Sequence, residues 1–180
     1  MLTELEVLKD VSARFAQAGI EYMLTGSMAM NYYAEPRMTR DIDMVVALGP
    51  GDARRLRALF EPDYYVPGHD LESALATAGM FNLVHLESVV KVDIIVRKNE
   101  PYRQAEFARR VSIDLPGFRT WIVSKEDLIL SKLAWAGDSR SQMQLRDVRN
   151  LLTTGADLDY LRRWAAELGT ADLLEESLHE

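Results

Sequence analysis

TGSMAMNYYAEPRMTRDIDMVV, residues 25–46, begins with a glycine–serine pair and ends with two aspartates set among apolar residues. A buried strand rarely carries acidic side chains, because a carboxylate that leaves water loses its hydration. Residues i and i+2 of a strand point to the same side, about 7 Å apart. Asp41 and Asp43 therefore project together, while Ile42 and Met44 face the opposite layer. The spacing predicts a strand over residues 41–47 with one acidic and one apolar face.

A third carboxylate, Asp93, lies in a strongly β-branched stretch, VVKVDIIV, over residues 89–96. If the two strands are neighbours, three carboxylates converge, and two unit charges about 5 Å apart repel by roughly 3 kcal/mol at an effective dielectric of 20. A divalent cation would remove this repulsion, and oxygen ligands select Mg²⁺ or Mn²⁺. Two such ions would suit phosphoryl or nucleotidyl transfer. The alternative is that the acids are solvated strand ends.

The glycine–serine pair lies between a predicted strand over residues 20–24 and a predicted helix over residues 27–34. Glycine lets the backbone approach a phosphate closely, and the free N–H groups of a helix start favour an anion. The Ser27 hydroxyl could add a hydrogen bond. The alternative is a serine that caps the helix after a turn glycine.

Hydrophobic periodicity predicts the other elements. Helices are expected over residues 2–18, 53–60, 102–109, 142–152, 158–167 and 171–178, with a further helix that Ser124 caps. Strands are expected over residues 81–86, 89–96, 111–113 and 119–123, and residues 61–80 receive no firm assignment. This order indicates an α/β (α+β) fold, in which a mixed β-sheet is flanked by helices. We expect an α/β core over residues 1–123 and a small helical C-terminal region over residues 124–180 packed on it.

Composition narrows the environment and the partners. The 180-residue chain has no cysteine, which excludes disulfides and thiolate metal sites. It shows neither a signal peptide nor an apolar run long enough to span a membrane, so we expect a cytoplasmic protein. The net charge is −7, yet residues 97–149 hold 11 basic and 7 acidic side chains. That segment is either a face that binds an anion or a set of solvated helix surfaces.

The pattern of Gly26-Ser27, a helix, Asp41-x-Asp43 and a later Asp93 resembles the nucleotidyltransferase superfamily of the DNA polymerase β type. Residues 91–94, KVDI, and residues 124–135, SKEDLILSKLAW, are similar to the second and third motifs of AbiEii-type toxin and abortive-infection nucleotidyltransferases. Residues 145–151, LRDVRNL, are similar to the fourth motif. Two departures are Asn150, where a second aspartate is frequent, and Arg146, where lysine is usual.

The resemblance implies a role for each matched residue. Asp41, Asp43 and Asp93 would be catalytic and would hold two Mg²⁺ ions, or Mn²⁺, with Asp93 near the acceptor hydroxyl. The residues implied to bind the nucleotide are Gly26, Ser27, Lys132 and Asp147. Arg40 and Lys91 are further phosphate-binding candidates, and each could equally be a surface charge.

Aromatic residues give a weaker signal. Trp121, Trp135 and Trp164 are well separated, which favours core or helix packing over a base-stacking platform. Tyr32 and Tyr33 follow the glycine–serine turn and could line a base pocket, although core packing is the simpler expectation.

The predicted function is a Mg²⁺-dependent nucleotidyltransferase that moves a nucleoside monophosphate from a nucleoside triphosphate (NTP) to an acceptor hydroxyl. The AbiEii resemblance implies a toxin–antitoxin setting, with a tRNA 3′ end or a protein as acceptor and an antitoxin as partner. One alternative is a small-molecule transferase of the aminoglycoside type. Another is a catalytically silent nucleotide-binding module. A basic groove beside the acids would favour nucleic acid, and an acidic pocket would favour a cationic antibiotic.

Overall fold

The computed structural model describes residues 3–139 and 141–179. The helices are α1 (Glu4–Gln17), α2 (Gly26–Tyr33), α3 (Ala53–Phe60), α4 (Gly68–Thr77), α5 (Pro101–Ala108), α6 (Lys125–Ser139), α7 (Gln142–Leu152), α8 (Leu158–Glu167) and α9 (Ala171–His179). The strands are β1 (Tyr22–Thr25), β2 (Ile42–Val46), β3 (Tyr64–Tyr65), β4 (Met80–His85), β5 (Lys91–Val96), β6 (Val111–Leu115) and β7 (Phe118–Ile122). A short 3₁₀ turn covers Pro50–Asp52.

Helix α1 shows how local sequence sets an element. Thr3 caps it, because the Glu6 amide donates to Thr3 Oγ1 at 3.3 Å while the Thr3 amide donates to Glu6 Oε2 at 2.7 Å. Leu5, which the periodicity assigns to the buried stripe, is 37% exposed. The buried stripe consists of Val7, Leu8, Val11 and Phe15. The predicted start at Leu2 lies outside the described residues.

A mixed sheet forms the centre of the fold, as predicted. Its strand order among the described residues is β3-β4-β5-β2-β1-β7-β6. β2 pairs in parallel with β5 and antiparallel with β1, and β1 pairs in parallel with β7. The two strands that carry the predicted acids are therefore direct neighbours near the middle of the sheet.

Burial alternates along the central strands, which gives the sheet two different faces. In β2, Ile42, Met44 and Val46 are buried, and on that side Phe15 of α1 packs on Phe60 of α3 with ring centroids 5.3 Å apart. The other face carries the half-buried residues between them. Helices α2, α6 and α7 contact one another, and α6 covers part of this second face.

Most predicted boundaries differ from the structure by one or two residues, and two of these differences concern β1 and β2. The first strand begins at Tyr22 rather than Ile20, because Ile20 still takes part in the end of α1 by donating to the Phe15 carbonyl at 2.9 Å. The second strand begins at Ile42, so Asp41 lies just before it. The unassigned residues 61–80 contain β3 and α4.

Helix α6 joins the sheet to the C-terminal helices. It contacts α2, α7, α8 and α9, and one hydrophobic cluster extends from the sheet to Leu161 and Leu174. Asp127 of α6 is fully buried and accepts hydrogen bonds from Ser124 at 2.5 Å and Tyr160 at 2.7 Å. The domain boundary between residues 123 and 124 stays a prediction. None of the described helices has the length and apolar character needed to cross a membrane.

Candidate nucleotide-transfer site

The parallel register of β2 and β5 brings two acids together. Asp43 lies directly opposite Asp93, and Asp93 lies opposite Asn82 of β4. Residues that face each other across neighbouring strands point to the same side of the sheet. The three side chains therefore form a row across β2, β5 and β4, with Asp41 exposed at the entrance to β2.

The charge of Asp43 is only partly compensated. Burial, followed by the neighbouring charges of Asp93 and Asp41, raises the pKa of Asp43 to about 6. Lys132 and Lys91 oppose this shift without cancelling it. A carboxylate in this position binds a proton or a cation more readily than a solvated one does.

Asp93 has two hydrogen-bond partners, and neither was predicted from the sequence to contact it. The Asn82 side chain donates to Asp93 Oδ1, and Lys91 donates to Asp93 Oδ2 at 3.1 Å. The hydrogen bond to Asp93 raises the pKa of Lys91. Asn82 was missed, because only the pairing of β4 with β5 brings it to the acid.

Gly26 and Ser27 begin α2 beside the acids. Gly26 has φ +66°, and a Cβ atom at this position would collide with the carboxylate of Asp43. Glycine thus allows a left-handed backbone conformation and a close approach at one position. The Ser27 hydroxyl accepts a hydrogen bond from Arg37 Nη2 at 2.6 Å.

Lys132 and Asp147 form a buried ion pair between α6 and α7. Lys132 Nζ lies 2.7 Å from Asp147 Oδ2, and the two side chains are 5% and 3% exposed. Burial lowers the pKa of Lys132 although the bond to Asp147 opposes it. Burial raises the pKa of Asp147, but hydrogen bonds from Arg37 and Lys132 outweigh it and hold that pKa below its ordinary value. Lys132 also donates to the Gln144 side chain at 3.0 Å.

Arg37, which was not among the predicted site residues, links this ion pair to the start of α2. Its Nε and Nη2 atoms donate to the two oxygens of Asp147, both at 3.0 Å. Arg40, the predicted candidate, is exposed and does not line the cavity described below. The position of Arg37 in the loop between the glycine–serine turn and the acid pair could have drawn attention to it.

A cavity of about 650 Å³ collects most of the predicted residues. This volume is typical of small-ligand sites. The predicted residues that line it are Gly26, Ser27, Asp41, Asp43, Lys91, Asp93 and Lys132. Asp147 lies behind Lys132, and Tyr32 and Tyr33 line a separate cleft.

The donor set is chemically suited to Mg²⁺, because two facing carboxylates with a third nearby offer hard oxygen ligands and repel one another with only partial compensation by lysines. In the described part of the chain, however, no three acidic or histidine side chains are gathered closely enough to hold an ion. The Asp93 oxygens are bonded to Asn82 and Lys91. Each Asp93 oxygen keeps a second lone pair, so a cation that uses all three acids would need the carboxylates to move closer together.

Known structures share this fold. An antigenic nucleotidyltransferase-like protein from Paracoccidioides brasiliensis is 17% identical, with a TM-score of 0.59 over 93% of this chain and 91% of that one. The antibiotic-resistance factor ANT(2″)-Ia is 16% identical, with a TM-score of 0.58 over 96% of both chains. The lincosamide antibiotic adenylyltransferase LnuA is 17% identical, with a TM-score of 0.52 over 82% of this chain and 94% of that one. At these identities the likeness shows the fold.

A family-level match is more decisive. No curated protein sequence matches the chain significantly. The sequence model described as the nucleotidyl transferase AbiEii toxin of type IV toxin–antitoxin systems matches residues 10–174, which is more than nine-tenths of the chain. The predicted enzyme class, a nucleotidyltransferase, is the class of this family. The chain therefore belongs to the AbiEii nucleotidyltransferase family.

Proposed function

We propose that the chain is a Mg²⁺-dependent enzyme that transfers a nucleoside monophosphate from an NTP to the 3′ hydroxyl of an RNA, with tRNA as the first candidate. The observation that carries the proposal is the facing pair Asp43 and Asp93 in a cavity that Gly26, Ser27 and Lys132 also line. Family membership supports the reaction class.

The cavity residues divide the work. Gly26 and Ser27 offer the start of α2 to the β- and γ-phosphates, and Lys132 compensates triphosphate charge. Asp41, Asp43 and Asp93 would hold two Mg²⁺ ions or Mn²⁺, which when bound would neutralise the carboxylates and polarise the phosphates.

The bonding changes are those of a displacement at phosphorus. The acceptor oxygen forms a bond to the α-phosphorus, the bond from that phosphorus to the bridging oxygen breaks, and pyrophosphate leaves. Asp93, which lies opposite Asn82 of β4 and lines the cavity, would receive the hydroxyl proton. Positioning and electrostatic stabilisation supply most of the rate.

The charge of the cavity wall supports an anionic acceptor. Beyond the three aspartates, the wall carries the basic residues Arg37, Lys91, Arg97, Lys98, Arg103 and Lys132. Only Glu106 and Asp138 oppose them there, and Glu106 is paired with Arg103 at 2.9 Å. Phosphate contacts dominate nucleic-acid affinity, so these basic side chains support an acceptor that carries phosphates. Several of them are already paired with acids, as Lys91 is with Asp93 and Lys132 with Asp147, so the support comes from their position around the cavity and not from a large excess of positive charge.

The test is incubation of the protein with each α-labelled NTP, Mg²⁺ and one acceptor: total tRNA, a protein extract or an aminoglycoside. Wild type should label tRNA, Asp43→Asn should not, and Asp114→Asn, which changes an exposed acid outside the cavity, should behave as wild type. Labelling by Asp43→Asn would refute the site. Labelling of only the aminoglycoside or only protein would refute the RNA acceptor, and nucleotide binding without labelling would identify a silent module.

The family also supports an antitoxin partner. We expect wild type, but not Asp43→Asn, to arrest growth of a bacterial host, and co-expression of the cognate antitoxin to restore growth. Growth arrest by both proteins would separate toxicity from nucleotide transfer.

A further inference from the structure

The α6 wall of the cavity carries an exposed tryptophan. Trp135 is 59% exposed and lines the cavity, whereas Trp164 is 9% exposed and packs against Tyr102 with ring centroids 5.2 Å apart. Burial therefore agrees with the packing expectation for Trp164, whereas Trp135 is exposed, as Trp121 is at 40%. Within residues 3–139 and 141–179, the Trp135 ring makes no aromatic or cation–π contact. The exposed indole therefore offers a ligand in the cavity a flat apolar surface for stacking.

The helix sets the distance between this ring and the phosphate-binding lysine. Trp135 follows Lys132 by three positions in α6, and residues at this spacing are neighbours on the helix surface. Lys132 in turn interacts electrostatically with Asp43. The indole thus lies one helical turn after Lys132, the residue that is proposed to bind the triphosphate.

The surroundings of Trp135 suit a nucleobase. Met143 of α7 is 56% exposed and lines the same cavity, and its thioether is a soft, polarisable contact for a ring. Ser139 and Asp138 add polar groups at the end of α6 that can meet a base edge. The wall therefore combines two faces for stacking with a polar margin.

We propose that Trp135 and Met143 form the binding site for the base of the NTP, with the indole stacked on the base. The proposal rests on the function proposed above. It extends that function by placing the base at Trp135 and Met143, and the phosphates at Gly26, Ser27 and Lys132. Stacking tolerates every base, because each has a π-face. All four NTPs should therefore occupy this site, and any preference among them must come from the polar margin.

Tryptophan fluorescence provides the first test. Each NTP should quench the emission of wild type and of Trp121→Phe, a control that removes an exposed tryptophan outside the cavity. Trp135→Phe keeps a ring but should show no quenching. Inorganic tripolyphosphate, which has no base, and a short RNA with a free 3′ end should leave the emission unchanged. Quenching by tripolyphosphate, or by RNA but not by NTP, would overturn the proposal.

Kinetics provide the second test. Trp135→Ala should raise the KM for NTP by about tenfold, within the range that base stacking supplies, and leave kcat within about twofold. Trp135→Phe should lose less than Trp135→Ala, and equal melting temperatures would show that folding is intact. If wild type is active and Trp135→Ala has an unchanged KM for NTP, the stacking proposal is refuted while the proposed function stands. Wild type that neither binds NTP nor transfers label would refute the proposed function as well.

Discussion

At position 26 the backbone and the carboxylate of Asp43 share a space that no Cβ atom can enter. Gly26 has φ +66°, and an added Cβ would collide with Asp43. Gly155 has a similar conformation, φ +79°, but a Cβ there would meet no atom within 4 Å. A substitution at Gly155 therefore adds backbone strain alone, whereas the same substitution at Gly26 adds both backbone strain and a collision with Asp43.

We expect Gly26→Ala to lower the free energy of unfolding by about 2–4 kcal/mol and to remove transfer activity, because backbone strain and displacement of Asp43 add together. Gly155→Ala should cost only about 1 kcal/mol and keep the activity. Urea unfolding and label transfer measure the two effects. Equal behaviour of the variants would show that contact with Asp43 is unimportant.

Asp43 should oppose folding when it is ionised. Its folded-state pKa of about 6 exceeds the ordinary value of 3.8, so the folded chain holds the proton more tightly than the unfolded chain does. The contribution of Asp43 to the free energy of unfolding is therefore fully present below about pH 4, and it is lost as the pH rises through about 6.

Without divalent metal, we expect Asp43→Asn to be more stable than wild type by about 1–3 kcal/mol at pH 8 and nearly equal at pH 4, although it is inactive. Urea unfolding at the two pH values checks this. Asp114→Asn is the control, because that acid is exposed beside Arg119. Destabilisation at pH 8, or the same gain at both pH values, would contradict the charge argument.

Among elements, the connection between α2 and β2 is held by side-chain hydrogen bonds from two helices. The Asn31 side chain accepts from the Arg37 amide at 3.0 Å and donates to the Arg37 carbonyl at 2.8 Å. Asn150 of α7 bonds the amide and the carbonyl of Glu35 in the same way, at 3.3 Å and 2.8 Å. These bonds fix the loop that carries Asp41, and they give Asn150 a structural role where the family often has an aspartate.

Arg37 should act as a positioning residue. Lysine cannot reproduce its two parallel bonds to Asp147 and its bond to Ser27. We expect Arg37→Lys to reduce kcat/KM about 10- to 100-fold, mainly through a higher KM for NTP, because Ser27 and Lys132 lose their alignment. Steady-state kinetics measure this, and the control is Arg40→Lys, which changes a neighbouring exposed arginine. A similar loss in both variants would indicate a general charge effect.

Element prediction succeeded where the signal is local. The bounds of α3, α7 and α8 match the predicted ranges, because each has a strong amphipathic pattern. It failed over residues 61–80, where β3 exists only through its pairing with β4, with Tyr64 opposite His85. Helix α4 also lacks a side-chain cap at its start, and the left-handed residue that follows Thr77 at its end is Ala78, with φ +51°, instead of a glycine. No local pattern marks either boundary.

For the whole molecule, sequence spacing identified the acid row but not its surroundings. Asp43 and Asp93 were predicted to meet only on the condition that their strands are neighbours, and the pairing of β2 with β5 meets that condition. The contribution of Arg37 and the exposure of Trp135 depend on how α6 and α7 lie over the sheet. That relation is set by tertiary packing, so no single segment encodes it.

Ligand binding should stabilise the whole fold, because the cavity joins the sheet to α6 and α7. At 100 times its dissociation constant, Mg²⁺·NTP should add about 2.7 kcal/mol and raise the melting temperature by about 5–10 °C. A nucleoside without phosphates should produce a much smaller shift. Differential scanning fluorimetry measures both, and an unchanged melting temperature at millimolar NTP would contradict the assignment of the cavity.

The site draws on residues that are more than a hundred positions apart, from Gly26 to Lys132 and Asp147. A chain that emerges from the ribosome exposes its aspartates well before the lysine and α7 have been synthesised. Such a nascent chain has the carboxylates but lacks Lys132 and its ion pair with Asp147. The cavity is therefore assembled only after α6 and α7 have been synthesised.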